Sequence, residues 1–183
     1  FTQAYASSPI CSPSRAGIIT GCYQQRWWTY WYGGEGIHDS NYKTIAELLQ
    51  EEGYITGYVG KLHYGSFDSD TANRIFPLNH GFDYFLGHTS PRKHYLHHQD
   101  ILEDSFQTRK KASHKSGQSL RQQALWKNKG KLDTLAFSTE LFGKEACRFM
   151  ELHQKEKFYL QISFNAVHNF THQFPEAYFK ENQ

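Results

Sequence analysis

Cys11, Ser12, Pro13, Ser14 and Arg15 form the first group in the chain whose types and spacing suit chemistry. Ser12 suits a helix N-cap, Pro13 the first helical position and Gly21 the stop, so CSPSRAGIITG predicts a turn feeding a helix. Free N–H groups and the positive end of a helix dipole favour an anion at such a place. Arg15 adds a permanently charged fork that matches the oxygens of a sulfate or phosphate. A thiol in that setting is a candidate nucleophile. The plain alternative is a structural cysteine ahead of a Pro-started helix, and a bare C-x-x-x-R favours it. A thiolate phosphatase needs a longer loop than the three residues between Cys11 and Arg15. Cys11 is therefore either inert or modified.

The elements around this group predict an α/β scaffold. FTQAYA alternates in part like a strand. Thr44 to Glu52 reads as a short amphipathic helix with Ile45, Leu48 and Leu49 inward, ended by Gly53. YITGYVG then predicts a strand with LHYG as the loop at its carboxyl end. Thr139 to about Gln154 predicts a helix with Leu141, Phe142, Ala146, Phe149 and Met150 on one side. FYLQISF follows as a strand, and NAVH as its terminal loop. Helix, strand and loop in repetition imply a largely parallel sheet, in which ligands bind beyond the carboxyl ends of the strands.

Three segments, in order, carry a family resemblance. CSPSRAGIITG, preceded by FTQAYASSP, resembles the C-x-P-S-R signature of formylglycine-dependent (type I) sulfatases. GYITGYVGKLHYG is similar to the second signature of that family, usually G-K-W-H-x-G, and supplies Lys61 and His63. FYLQISFNAVHNF is similar to a later strand and its A-P-H loop, and supplies His168. PLNHGFDYFLG and STELFGKEACRFM resemble the intervening G-F-D-x-F segment and the helix after it. Leu62 stands where Trp is usual, Tyr64 where Leu is usual and Val167 where Pro is usual, and none of these removes a catalytic group. The resemblance covers nearly the whole chain and is weakest over 92–131. It implies a three-layer α/β/α sandwich of the alkaline-phosphatase-like superfamily, of which residues 1–183 are part of the N-terminal catalytic domain, truncated at both ends.

What the resemblance implies for the residues is specific. Cys11 is expected to be oxidised by a formylglycine-generating enzyme to formylglycine (3-oxoalanine), whose hydrate attacks sulfur and then expels sulfate. Arg15 is expected to hold the hydrate, Lys61 to bind a sulfate oxygen and His63 to assist proton removal. His168 is expected over the leaving oxygen as general acid, which suits an imidazole near neutral pH. Lys61 or His63 alone reads as a solvated loop residue, and the motif context is what singles them out. A divalent metal, most often calcium, is expected with oxygen ligands. Only the oxygen derived from Cys11 is assignable as a ligand here. The remaining ligands are expected upstream and downstream of residues 1–183, so a piece of this extent is expected to be inactive alone. The expected reaction is hydrolysis of a sulfate ester, on an aryl sulfate or a sulfated polysaccharide, in a periplasmic, secreted or lysosomal setting. A formylglycine-using phosphodiesterase or phosphonate hydrolase is the nearest alternative, and a non-catalytic polyanion-binding module the alternative from another class.

Composition bounds these readings. The 183 residues include 20 Lys+Arg against 18 Asp+Glu, with 16% aromatic residues and three cysteines, Cys11, Cys22 and Cys147. That excludes wholesale disorder, collagen and a disulfide framework, and no apolar run approaches the roughly 20 residues that span a bilayer. Residues 92–131 carry a net +7 and the rest −5, so 92–131 reads as a basic insertion, either solvated or steering a polyanion. Nucleic acid is disfavoured because no recognised motif accompanies the charge. His94, His97 and His98 fit no standard zinc spacing, and His80, His88, His114 and His172 carry no pattern. The run Trp27-Trp28-Thr29-Tyr30-Trp31-Tyr32 reads first as a local core and second as a sugar-stacking or aryl-binding wall.

Overall fold

A computed structural model describes residues 2–31, 37, 42–64, 71–89, 125–132, 134 and 136–166. Its centre is a five-stranded sheet formed by β1 (Ile55–Lys61), β2 (Tyr84–His88), β3 (Leu125–Lys127), β4 (Gly130–Leu132) and β5 (Phe158–Ser163). The strand order is β4-β3-β2-β1-β5. β1 runs parallel to β2, with Lys61 opposite His88, and parallel to β5, with Gly60 opposite Ser163. β3 pairs antiparallel with β2, and β4 antiparallel with β3.

Successive strand residues face opposite sides, and two cores follow from that. Tyr58, Phe85 and Trp126 pack with Ala16, Ile19 and Ala46, which come from α1 (Cys11–Thr20) and α2 (Ile45–Glu51). Val59, Leu86 and Leu125 pack on the other face with Phe142 of α3 (Ser138–Leu152). The layers are helix, sheet, helix, as the α/β/α reading requires. β1 is buried almost throughout because both of its faces are covered.

The ends of the helices follow local rules in part. Thr44 caps α2 reciprocally: its hydroxyl accepts from the Glu47 N–H, and the Glu47 carboxylate accepts from the Thr44 N–H. Gly21 closes α1 in the left-handed region at φ 63°, and Gly53 follows α2 at φ 77°. The start of α1 differs from expectation. Ile10, extended and without a side-chain cap, stands at the N-cap, and Pro13 lies within the first turn, where its missing N–H has no intrahelical acceptor to lose. Ser12 is freed from capping for another partner.

Other expectations are corrected. Residues 2–6 form no strand and are exposed, because no strand among the described residues runs beside them to share a ladder. In α2 the buried residue is Ala46, while Ile45 and Leu48 are exposed. The close approach of Gly81 explains that rotation: a Cβ there would lie 2.2 Å from the Glu47 nitrogen, so the helix face met by the chain is its backbone at 46–47. Met150 of α3 is also exposed, and Glu145 sits on the buried side, bonded to the Tyr84 hydroxyl and Arg148. The last residues of the basic stretch belong to the scaffold. Leu125 and Trp126 are buried, and the β3–β4 turn is bonded to β2 through Asn128, whose amide oxygen accepts from the Phe85 N–H at 3.0 Å.

Candidate functional site

The carboxyl end of β1 is where the first two motifs meet. Gly60, at φ 115°, lets β1 lie against β5, for a Cβ there would come within 2.1 Å of the Ser163 carbonyl oxygen. Lys61 ends the strand and is 2% exposed. The chain then turns through His63, fully buried and in the left-handed region at φ 49°. That conformation is uncommon for a residue with a side chain and accumulates at functional sites.

Two hydrogen bonds fasten α1 to this turn. The Arg15 guanidinium donates through Nη1 to the Lys61 carbonyl at 2.6 Å. The Ser12 hydroxyl donates to the His63 carbonyl at 3.1 Å. Both bonds join residues about fifty positions apart, so the fold itself brings Cys11 to Arg15 beside Lys61 and His63. Cys11, at the first turn of α1, is half-buried and joined to no other cysteine. The positive end of α1 and the Arg15 guanidinium thus lie against the Lys61–His63 backbone, a setting for an anion.

Four further residues border that corner. Tyr58 and Tyr64 are fully buried and pack edge to face, and burial pushes the Tyr64 phenol well above its ordinary value. His88, at the end of β2, bonds through Nε2 to the Asn165 side-chain oxygen at 3.0 Å. Asn165 lies two residues past the end of β5, and Leu62 donates its N–H to the His88 carbonyl at 3.0 Å. Sequence reasoning passed over His88 and Tyr58. Their signal was position: a histidine at the carboxyl end of a strand, and a phenol in a central strand that needs a buried partner. His168 lies outside the described residues, as do His94, His97, His98, His114 and His172.

His80, fully buried, is held below its usual value, at about 4, chiefly by burial. Its neutral ring donates from Nδ1 to the Arg74 carbonyl at 2.8 Å and stands edge-on to Tyr64. It is therefore part of the support beneath the turn. Among the described residues no group of three or more His, Cys, Asp or Glu is placed to hold a metal ion. The calcium expected by resemblance has no ligand set there, and no step below runs through a metal. No helix among the described residues is long and apolar enough to cross a membrane.

Among the described side chains the aromatic run does not form a local core, and Tyr32 lies outside the described residues. Trp28, Tyr30 and Trp31 are exposed, at 80%, 54% and 64%, while Thr29 between them is buried. Trp28 sits in the left-handed region after the short 3-10 turn Gln24–Trp27, which directs its ring outward.

The family model described as Sulfatase matches residues 1–183, and the chain belongs to the sulfatase family. Arylsulfatase H of Canis lupus familiaris is 43% identical over 97 residues, covering 47% of this chain and 17% of the relative. The arylsulfatase of Hemicentrotus pulcherrimus is 33% identical over 180 residues, covering 92% of this chain and 30% of the relative. The chain thus spans less than a third of the length of either relative. In structure it is similar to Ps i-CgsB in complex with k-i-k-neocarrahexaose, at a TM-score of 0.73 and 27% identity over 92% of this chain and 37% of that one. The fold is that of the alkaline-phosphatase-like sulfatases.

Proposed function

We propose that the protein containing this chain hydrolyses a sulfate ester, with Cys11 converted to formylglycine as the source of the nucleophile. The observation that carries this reading is the 2.6 Å bond from Arg15 to the Lys61 carbonyl, which places the cysteine-bearing helix against the lysine-bearing strand end. A half-buried cysteine outside any disulfide, one helical turn before Arg15, suits conversion and use at that corner. Hydrated formylglycine supplies one hydroxyl to attack sulfur as the S–O bond to the alcohol breaks, and a second to collapse and expel sulfate, so the net reaction is RO–SO₃⁻ plus water to ROH plus hydrogen sulfate.

The residues of the chain divide the remaining work. Arg15 offsets negative charge beside position 11. Lys61, fixed at the end of β1, directs a cation at a sulfate oxygen whose charge grows as sulfur is attacked. His63 takes a proton during sulfate release, and His168 protonates the departing alcohol oxygen. A sulfated saccharide is the proposed substrate class. The exposed Trp28, Tyr30 and Trp31 support it, together with the neocarrahexaose bound to a similar protein.

The test uses full-length protein made together with a formylglycine-generating enzyme. The peptide carrying Cys11 is expected to lose about 18 Da, and the protein to release sulfate from 4-nitrophenyl sulfate. Active protein carrying only unmodified cysteine would remove the proposed nucleophile, and unimpaired activity in Cys11→Ala would do the same.

A further inference from the structure

We propose that Tyr58 is a positioning residue for Lys61, acting through the peptide from which the lysine side chain departs. This rests on the sulfatase reading of Lys61 given above.

Tyr58 is fully buried in the middle of β1, where an aliphatic residue or phenylalanine would fill the same space. A buried phenol is kept only with a partner for its hydroxyl. The Tyr58 oxygen lies 2.6 Å from the Lys61 carbonyl oxygen and 3.0 Å from Ser163 Oγ. A carbonyl has no proton to give, so the phenol O–H donates to Lys61, and the Ser163 hydroxyl is left to donate to the phenol oxygen. The Lys61 carbonyl has two lone pairs. Arg15 takes one at 2.6 Å and Tyr58 the other. One oxygen atom is therefore pinned from the α1 side by a guanidinium and from within the sheet by a phenol.

The aim of the phenol is fixed by its surroundings. Its ring stands edge-on to Phe82 at 5.2 Å, Phe85 at 6.1 Å and Tyr64 at 6.2 Å between centroids. A ring so enclosed in a close-packed core has no alternative rotamer that keeps its contacts. Gly60 lies between Tyr58 and Lys61 and takes a conformation that L side chains rarely adopt. Its φ of 115° departs from strand geometry one residue before Lys61; the Leu62 N–H still bonds the His88 carbonyl on the β2 side, and the Lys61 carbonyl of that same peptide is held by Arg15 and Tyr58. Tyr58, three residues back, holds the carbonyl of that peptide while the ladder holds its N–H. Ser163, at the end of β5, ties the same phenol to the strand that precedes Asn165.

The experiment compares Tyr58→Phe with wild type in the full-length, formylglycine-bearing protein on 4-nitrophenyl sulfate, each also in a Lys61→Ala background. Phenylalanine keeps the ring and removes only the hydroxyl. Because small misplacements of a charge-stabilising group lower the chemical step, Tyr58→Phe is expected to reduce kcat about 10- to 100-fold and change KM less than about threefold. In the Lys61→Ala background the same change is expected to cost less than about threefold, since the group it positions is gone. Wild-type kcat in Tyr58→Phe overturns the proposal. So does an equal loss in both backgrounds, or a fall explained by a smaller folded fraction in a melting curve. A wild-type protein inactive on sulfate esters overturns the sulfatase reading instead, and is seen before any variant is compared.

Discussion

The Ser12 hydroxyl donates to the His63 carbonyl at 3.1 Å, and both residues are fully buried. This bond joins the first turn of the cysteine-bearing helix to a peptide held in the left-handed region at φ 49°. Ser12→Ala leaves that carbonyl without its donor, a loss of about 1–3 kcal/mol for a buried acceptor. Unfolding of the full-length protein in urea is expected to show that destabilisation, with kcat reduced as well because His63 is no longer held. Unchanged stability would mean the His63 carbonyl finds another donor.

Lys61→Ala and His168→Ala in the full-length protein are expected to lower kcat by roughly 10²–10⁴-fold, the usual effect of removing a group that acts on developing charge or on a proton. Lys61 closes a strand whose packing rests on Tyr58 and Val59, so its truncation is expected to leave a cooperative melting transition. Near-normal turnover of an aryl sulfate by either variant would remove the role assigned to that residue.

Legibility followed the range of the interactions involved. The helix Cys11–Thr20, its stop at Gly21 and the strand Ile55–Lys61 rest on neighbours a few residues apart, and their signals are local, whereas Thr44, read as helical, is the cap of Ile45–Glu51. The hairpin Leu125–Leu132 left almost no signal, because its two strands are three residues each, with Leu125 and Trp126 buried and Lys127, Gly130 and Lys131 exposed. FTQAYA illustrates the converse, a partial alternation with no neighbouring strand among the described residues to pair with. At the site, Cys11, Arg15, Lys61 and His63 were legible through motif resemblance. Ser12 was read as a cap because its true partner lies 51 residues away. His88 was passed over because Asn165 lies 77 residues on, and no periodicity reports such a pair.

His80 gives a prediction in pH. Its value of about 4 in the folded state, set chiefly by burial, lies below the ordinary 6.5. The unfolded state therefore binds more protons between these values, and stability falls as pH drops through that window. The difference of about 2.5 units corresponds to about 3 kcal/mol. Glu47 is pushed up by burial, but Arg74 and the Thr44 N–H outweigh this and hold it below its ordinary 4.5, so its contribution changes only below that pH. Urea unfolding at pH 6.5 and 5.0 is thus expected to show a loss in wild type that is smaller in His80→Gln. Equal pH dependence in both proteins would show that the imidazole is not buried in its neutral form.

The last prediction concerns the outward-facing aromatics. Trp28 and Trp31 expose 80% and 64% of their surface on the segment that follows α1, whose other end carries Cys11. Thr29 between them is buried, so the backbone there is anchored, and the Trp28 ring stands edge-on to Tyr30. Flat, exposed rings on an anchored segment suit stacking against a sugar face, and removing them alters little packing within the described core. Trp28→Ala combined with Trp31→Ala is expected to raise KM for a sulfated oligosaccharide about 10-fold or more while leaving kcat nearly unchanged, the pattern of a lost ground-state contact. Turnover of 4-nitrophenyl sulfate, too small to reach beyond the reacting group, is expected to change less than about twofold. Equal losses on both substrates would indicate a folding defect. No loss on either would place the rings away from the path of the saccharide and remove the support they lend to that substrate class.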